Sequence, residues 1–166
     1  MISEYHPPIA IPAPDYSPLD RLARTAARDK HPVASFLLNE LRRANIRAEA
    51  ELPANTVRLN HWVTYRLDWG WPSESRMLVH PQDYRSPAAH LSVLSPLGAA
   101  LLGLSGGARM PFVTLEGVLH VVTAESLEPP MGVLSLLRPS HTKRAPQGEA
   151  ASPDPFDSDD PGPDAA

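Results

Sequence analysis

The side chains with the most chemical potential in this 166-residue chain are seven histidines, one acid set among bases, and a serine next to a proline. His6, His31, His61, His80, His90, His120 and His141 stand apart, with no i, i+4 pair beside a carboxylate and no HExxH run. The spacing of a zinc site is therefore missing, and they read as structural or surface side chains. Around Gly103, Gly106 and Gly107 neither GxxxxGKS/T nor GxGxxG occurs, so the usual backbone cradles for phosphate are absent too. No Gly-x-Ser-x-Gly elbow is present, and Ser and His in no triad order are what any sequence contains. Asp29 lies between Arg28 and Lys30, where a carboxylate pairs with a cation in preference to holding a metal. Trp62, Trp69 and Trp71 could stack on bases, but Trp62 as sheet core, with Trp69 and Trp71 capping a hairpin, is the simpler reading. Their exposed members would suit a protein interface, where Trp is enriched.

The elements that would position these residues can be read from hydrophobic period. A first helix is expected near Ser17-Pro18 to Asp29, with Leu19, Leu22, Ala23 and Ala26 on one face. Lys30-His31-Pro32 breaks it. A second helix from Val33 to Ile46 carries Val33, Phe36, Leu37, Leu41 and Ala44 as an apolar stripe, and the short turn makes the pair an antiparallel hairpin. Between Arg21 and Arg47 seven basic residues face only Asp29 and Glu40, which reads as a solvated surface or as an electrostatic guide toward phosphate. From Thr56 the period becomes two: Val57 and Leu59, then Val63, Tyr65 and Leu67. Asp68 to Ser73 is a turn, Met77 to Val79 a returning strand, and Met110 to Val113 with Val118 to Val122 a hairpin turning at Glu116-Gly117.

Leu91 to Gly107, LSVLSPLGAALLGLSGG, organises the rest. It reads as a short strand, a Ser95-Pro96 turn with Ser95 as N-cap and Pro96 at the first helical position, and an apolar helix closed by Gly106 and Gly107. Gly98 and Gly103 each weaken a helix by roughly 1 kcal/mol relative to Ala, which close packing against a sheet would justify. SPLGAALLG followed by a glycine pair resembles the SPxGxALLG signature of the C-terminal domain of the Gre transcript-cleavage factors of bacterial RNA polymerase. FLLNELRRA, LPANTVRLNHWVTYR and MLVHPQDY follow the same family order, and the stretch from about Tyr16 to Gly132 is more similar to the short-hairpin, Rnk-type regulators of nucleoside diphosphate kinase. Ala108 and Arg109 depart from the acidic or polar residue usual after the glycines.

The resemblance implies an α+β fold: a short N-terminal antiparallel helical hairpin with an FKBP-like antiparallel sheet and one helix. In Gre factors a long hairpin enters the polymerase secondary channel, and paired acids at its tip help to hold a catalytic Mg²⁺. The tip here, Arg28-Asp29-Lys30, has one carboxylate, so transcript cleavage does not carry over and no metal or cofactor is implied. Docking does carry over. The loop Leu94-Ser95-Pro96 corresponds to the one that touches the coiled-coil rim of the largest polymerase subunit, although Leu94 stands where Asp or Asn is common. The expected function is a non-enzymatic, RNA polymerase-binding transcription regulator that competes with Gre factors, with no sequence-specific nucleic acid partner. The alternatives are a regulator of nucleoside diphosphate kinase level or activity and, less suited to a chain with 6% aromatic residues, an FKBP-like prolyl isomerase.

Composition divides the chain. The 20 prolines crowd its ends, and hydrophobic content of 42% lies slightly below the usual ~45 to 50%. The expected organisation is a proline-rich arm over 1–14 in an extended or edge conformation, the hairpin over 15–52, the Gre-like domain over 53–137, and an acidic tail over 138–166. Beyond Pro139 the only large apolar residue is Phe156, too little to offset ordering entropy, so a disordered tail is expected. Met131 to Leu137 would dock on the body or await a partner. Two cations and six carboxylates from Pro139 onward hold the whole net charge of −4, leaving a formally neutral body that argues against general nucleic-acid binding. With 0 Cys, no signal-peptide pattern and no apolar run long enough to span a bilayer, the expected location is the cytoplasm.

Overall fold

The computed structural model describes residues 6–68 and 70–131. The expected acidic tail, residues 132–137 of the apolar segment before it, and Trp69 lie outside the described residues. The elements run β1 (Ala10–Pro12), α1 (Ala13–Arg28), α2 (Ala34–Arg43), β2 (Asn45–Arg47), β3 (Trp62–Leu67), β4 (Glu74–Val79), β5 (His90–Ser92), α3 (Pro96–Leu101), β6 (Arg109–Val113) and β7 (Leu119–Ser126). This is the expected α+β arrangement, with a helical hairpin and one further helix against a sheet of order β5-β4-β3-β7-β6. The sheet is antiparallel except for the β4–β5 pair, which is parallel.

Several boundaries differ from the sequence expectation. α1 begins at Ala13, a turn earlier than Ser17-Pro18, because Pro14 rather than Pro18 takes the first-turn position where a missing N–H costs nothing. Pro18 sits exposed inside the helix instead. α2 stops at Arg43, and the residues expected to continue it to Ile46 form β2, paired in parallel with β1 as Ala10↔Asn45, Ile11↔Ile46 and Pro12↔Arg47. The N-terminal segment is extended, as its prolines require, and it fills the core: Ile9 and Ile11 are buried, and the Ala10 N–H donates to the Gly103 carbonyl at 3.0 Å.

Alternation on β3 places Val63 and Tyr65 in the core with Leu78 of β4, Met110 and Phe112 of β6, and Val122 and Ala124 of β7. Trp62 falls on the opposite face, half-buried, and is not the core residue expected. Val57 and Leu59 are buried outside any named strand, and Val57 exchanges backbone bonds with Leu104 and Gly103 beyond α3. α1 and α2 pack on each other, and α2 packs on α3, so Leu19, Leu37 and Leu41 join Ala99 to Leu102 in one cluster. Full burial of each such leucine contributes roughly 1.5 to 3 kcal/mol.

Candidate functional site

The loop into α3 is built by two serines. Ser92 Oγ accepts from the Leu94 N–H at 3.2 Å, and the Ser95 hydroxyl donates to the Ser92 carbonyl at 2.6 Å while accepting from the Gly98 N–H at 3.0 Å. Ser95 is thus the N-cap its sequence position predicts, with Pro96 at the first helical residue. Gly98 is there because no side chain fits: a Cβ would stand 1.9 Å from the Ser92 carbonyl oxygen. Gly103 is not helical. α3 ends at Leu101, not at Gly106-Gly107, and Gly103 turns the chain at φ +75° where a Cβ would stand 2.8 Å from the Ala10 carbonyl oxygen.

The consequence is a division of labour among the three loop residues expected to bind a partner. The Ser95 hydroxyl is committed to the fold, and Leu94 is half-buried against the core. Pro96 faces outward into an apolar groove of about 450 Å³. The groove runs from the hairpin turn, which contributes Pro32, Val33 and Phe36, across Pro96 to the end of the β6–β7 hairpin, with Phe112, Leu115 and Leu119 opposite. The β6–β7 tip is unusually apolar: Val113, Leu115, Val118 and Leu119 are all at least half exposed, with Leu119 at 67%, and all of them but Val118 line the groove. The turn that holds them is well bonded: the Thr114 N–H donates to the Val118 carbonyl at 2.9 Å, the Val118 N–H donates to Thr114 Oγ1 at 3.2 Å, and Gly117 lies at φ +84°.

Below the groove a polar brace fixes the β7 side. The Asp68 carboxylate accepts from the Val121 N–H at 2.7 Å and meets His120 Nδ1, and the His120 ring stacks on Phe112 with centroids 5.9 Å apart. The hydrogen bond from His120, and after it the Val121 N–H, holds the Asp68 carboxyl below the usual carboxylate range. On the hairpin side the buried Glu40 carboxylate takes both Nε and Nη2 of Arg43, whose Nη1 donates to the Pro7 carbonyl and whose Nη2 rests against the Met110 sulfur at 3.8 Å. One ion pair therefore ties α2, the N-terminal segment and β6 together.

At the hairpin tip Arg28, Asp29 and Lys30 are all exposed, with Lys30 in the left-handed region at φ 57°. The expected pairing of Asp29 with a flanking cation does not form: Asp29 has no ion pair among the described residues, because successive residues of a helix end point away from one another. Of the seven basic hairpin residues, Arg24 pairs with Asp20 and Arg43 with Glu40, leaving Arg21, Arg28, Lys30, Arg42 and Arg47 exposed. No group of three His, Asp or Glu residues able to hold a metal occurs among the described residues. Four histidines have local bonding roles: His31 Nδ1 accepts from the Val33 N–H ahead of α2, His61 meets the Leu59 carbonyl, His90 accepts from the Arg85 N–H, and His120 meets Asp68.

Of the site residues singled out by sequence only Pro96 lines the groove; Leu94, Ser95, Arg28, Asp29 and Lys30 do not. The 94–96 loop supplies Pro96, and the residues that follow the 28–30 tip supply Pro32, Val33 and Phe36. Sequence reasoning missed the third wall. Its signal was there in VTLEGVL, where a turn between strands carries Val113, Leu115, Val118 and Leu119 in place of polar residues. Trp71 is also exposed but does not line the groove.

Residues 7–46, which span β1 to the start of β2, match the family described as Rnk N-terminus. The chain is 36% identical to the regulator of nucleoside diphosphate kinase of Escherichia coli strain K12 over 122 residues, 74% of this chain and 90% of that protein. The regulator of nucleoside diphosphate kinase of Shigella flexneri is related to the same degree. Among solved structures, the prokaryotic transcription elongation factor GreA/GreB from Nitrosomonas europaea superposes with a TM-score of 0.58 at 29% identity, covering 71% of this chain and 97% of that one. The chain belongs to the family of the regulators of nucleoside diphosphate kinase, a Gre/Rnk-type transcription regulator by sequence and fold.

Proposed function

We propose that this protein binds RNA polymerase through the groove at Pro96 and regulates transcription without cleaving the transcript. The observation that carries the reading is the convergence of Pro96, the residues after the hairpin turn and three exposed apolar residues of the β6–β7 tip, Val113, Leu115 and Leu119, on one surface. Large aliphatic side chains at a solvent-facing turn lower solubility and contribute nothing to the core, so they are accounted for by a partner that covers them. The likeness to a GreA/GreB elongation factor supports polymerase as that partner. Against cleavage stands the tip itself, whose single acid Asp29 cannot offer the several oxygen ligands that a hard cation needs. A non-enzymatic role follows.

The name of the 36% identical relatives favours a second reading, control of nucleoside diphosphate kinase level or activity. The two are compatible if the kinase is controlled through its transcription. Binding of purified core polymerase to the full chain and to Pro96→Ala with Leu119→Ser separates them, since both side chains face out and neither belongs to the buried cluster. The double variant is expected to lose at least ~2 kcal/mol of affinity, roughly thirtyfold, as for an interface anchor. Unchanged affinity with unchanged circular dichroism removes the groove as the docking site, and absence of binding by the parent chain returns the reading to the kinase.

A further inference from the structure

We propose that the cleft between the start of α1 and the loop leading into β3 binds a small aliphatic α-amino acid as its zwitterion, the carboxylate on Arg58 and the ammonium between Asp15 and Glu49. The cleft shares no residue with the groove at Pro96, and its occupancy is independent of the docking reading above.

Three stretches distant in sequence build the cleft. Pro12, Pro14 and Asp15 come from the junction of β1 and α1, Glu49 from the single helical turn Glu49–Glu51 after β2, and Arg58, Leu59, Asn60 and His61 from the approach to β3. They surround about 200 Å³, room for one small molecule and below the ~300 to 1,000 Å³ of sites for larger ligands. Two groups in it are incompletely matched. The Arg58 side chain is mostly buried, its Nη1 lies 3.8 Å from Glu49 Oε1, beyond hydrogen-bond distance, and its Nε is buried with no acceptor among the described residues. A buried cationic donor left so costs free energy that a ligand carboxylate would remove. At Asp15 the mismatch has the opposite sign. Burial first, and then the charge of Glu49, push the Asp15 carboxyl above the usual carboxylate range, against lesser pulls from His80, His61 and Arg58. A cation seated between the two carboxylates cancels their repulsion, so the cleft asks for an anion at one group and a cation at another.

Other ligand classes fit less well. A simple anion would meet Asp15 and Glu49, and a simple cation would meet Arg58, so neither single charge suits the cleft. A nucleobase could offer donors and acceptors to the same groups, but apart from the His61 ring no aromatic side chain lines the cleft for it to stack on. Pro12, Pro14 and Leu59 instead give aliphatic walls, which match a short hydrocarbon side chain. Two polar residues complete the lining. His61 Nδ1 donates to the Leu59 carbonyl at 2.8 Å, which leaves Nε2 of the neutral ring as an acceptor for the ammonium. The Asn60 N–H donates to the Leu78 carbonyl at 2.7 Å, which fixes the Asn60 backbone, at φ 61°, on the cleft wall.

Amide spectra of the full chain, titrated with L-alanine, L-valine and L-leucine in turn up to about 10 mM, should show saturable shifts at Asp15, Glu49, Asn60 and His61 for at least one of them, with a Kd of about 1 mM or below. For that amino acid, the N-acetyl derivative, which lacks the ammonium, and the amide, which lacks the carboxylate, should each bind at least about tenfold more weakly. Glu49→Gln, at a side chain 70% exposed and so without consequence for the fold, should weaken binding about tenfold and leave the rest of the spectrum in place. Arg58→Lys, which keeps the charge and loses the planar fork, should do the same. Shifts that fail to saturate for all three amino acids, an analogue that binds as tightly as its parent, affinity unchanged in Glu49→Gln, or saturable binding of guanosine in place of the amino acids would each overturn the proposal.

Discussion

Glu40 carries more of the architecture than any other charged side chain described, because its carboxylate neutralises Arg43 at the junction of α2, the N-terminal segment and β6. Replacing it by Ala strands a half-buried guanidinium without its counter-ion, and breaking a buried pair from one side costs about 3 to 5 kcal/mol. Urea unfolding of Glu40→Ala should show a loss of that size, and a loss within ~0.5 kcal/mol would mean that Arg43 swings into water. Gly98 makes a sharper steric case. A methyl group at that position would overlap the Ser92 carbonyl, so Gly98→Ala must move either β5 or the first turn of α3. Overpacking of this kind typically costs 1 to 3 kcal/mol, and the expected result is a melting temperature lower by several degrees. An unchanged melting temperature would place the helix farther from the strand than described.

Among elements, the β6–β7 hairpin depends on the end of β3 through Asp68, which holds the Val121 N–H and His120. Because the folded carboxyl titrates below its unfolded value, the contribution is complete above the usual carboxylate pKa of about 4 and is lost as pH falls through the lower folded value. Asp68→Asn should therefore reduce stability near neutral pH and narrow its gap to the parent as the solution is acidified toward pH 2. Parallel pH profiles for the two proteins would show that Asp68 has no linkage to folding.

Element identity was legible where the signal was local. Ser95, Pro96 and the apolar run behind them named α3, and the two helical stripes named the hairpin. What was illegible was set by partners far along the chain. Asn45 to Arg47 look helical until Ala10 to Pro12 offer them a parallel strand, and Trp62 looks like core until the register of β3 gives the inward positions to Val63 and Tyr65. The groove was half legible. Pro96 was marked by the family pattern, whereas Pro32, Val33, Phe36 and the β6–β7 wall needed the fold to show that they line one groove with it.

At the scale of the whole molecule the charge is sorted, with a neutral body, a basic hairpin surface and six carboxylates beyond Pro139. Such sorting makes association with a phosphate-rich assembly sensitive to ionic strength. This chain has an apolar groove at Pro96 and, apart from it, an exposed tip that carries Arg28 and Lys30 beside the single acid Asp29. On the proposed function the protein docks on polymerase without cleaving the transcript. The direct measurement is a time course of RNA 3′-fragment release from a backtracked polymerase complex, with this protein alone and then titrated against a Gre factor. Alone it should leave the release rate at its intrinsic value, and in titration it should slow Gre-stimulated release in proportion to its occupancy of the shared surface, less so at high salt. Stimulated release by this protein alone, or no slowing of the Gre reaction at any concentration, would contradict the claim.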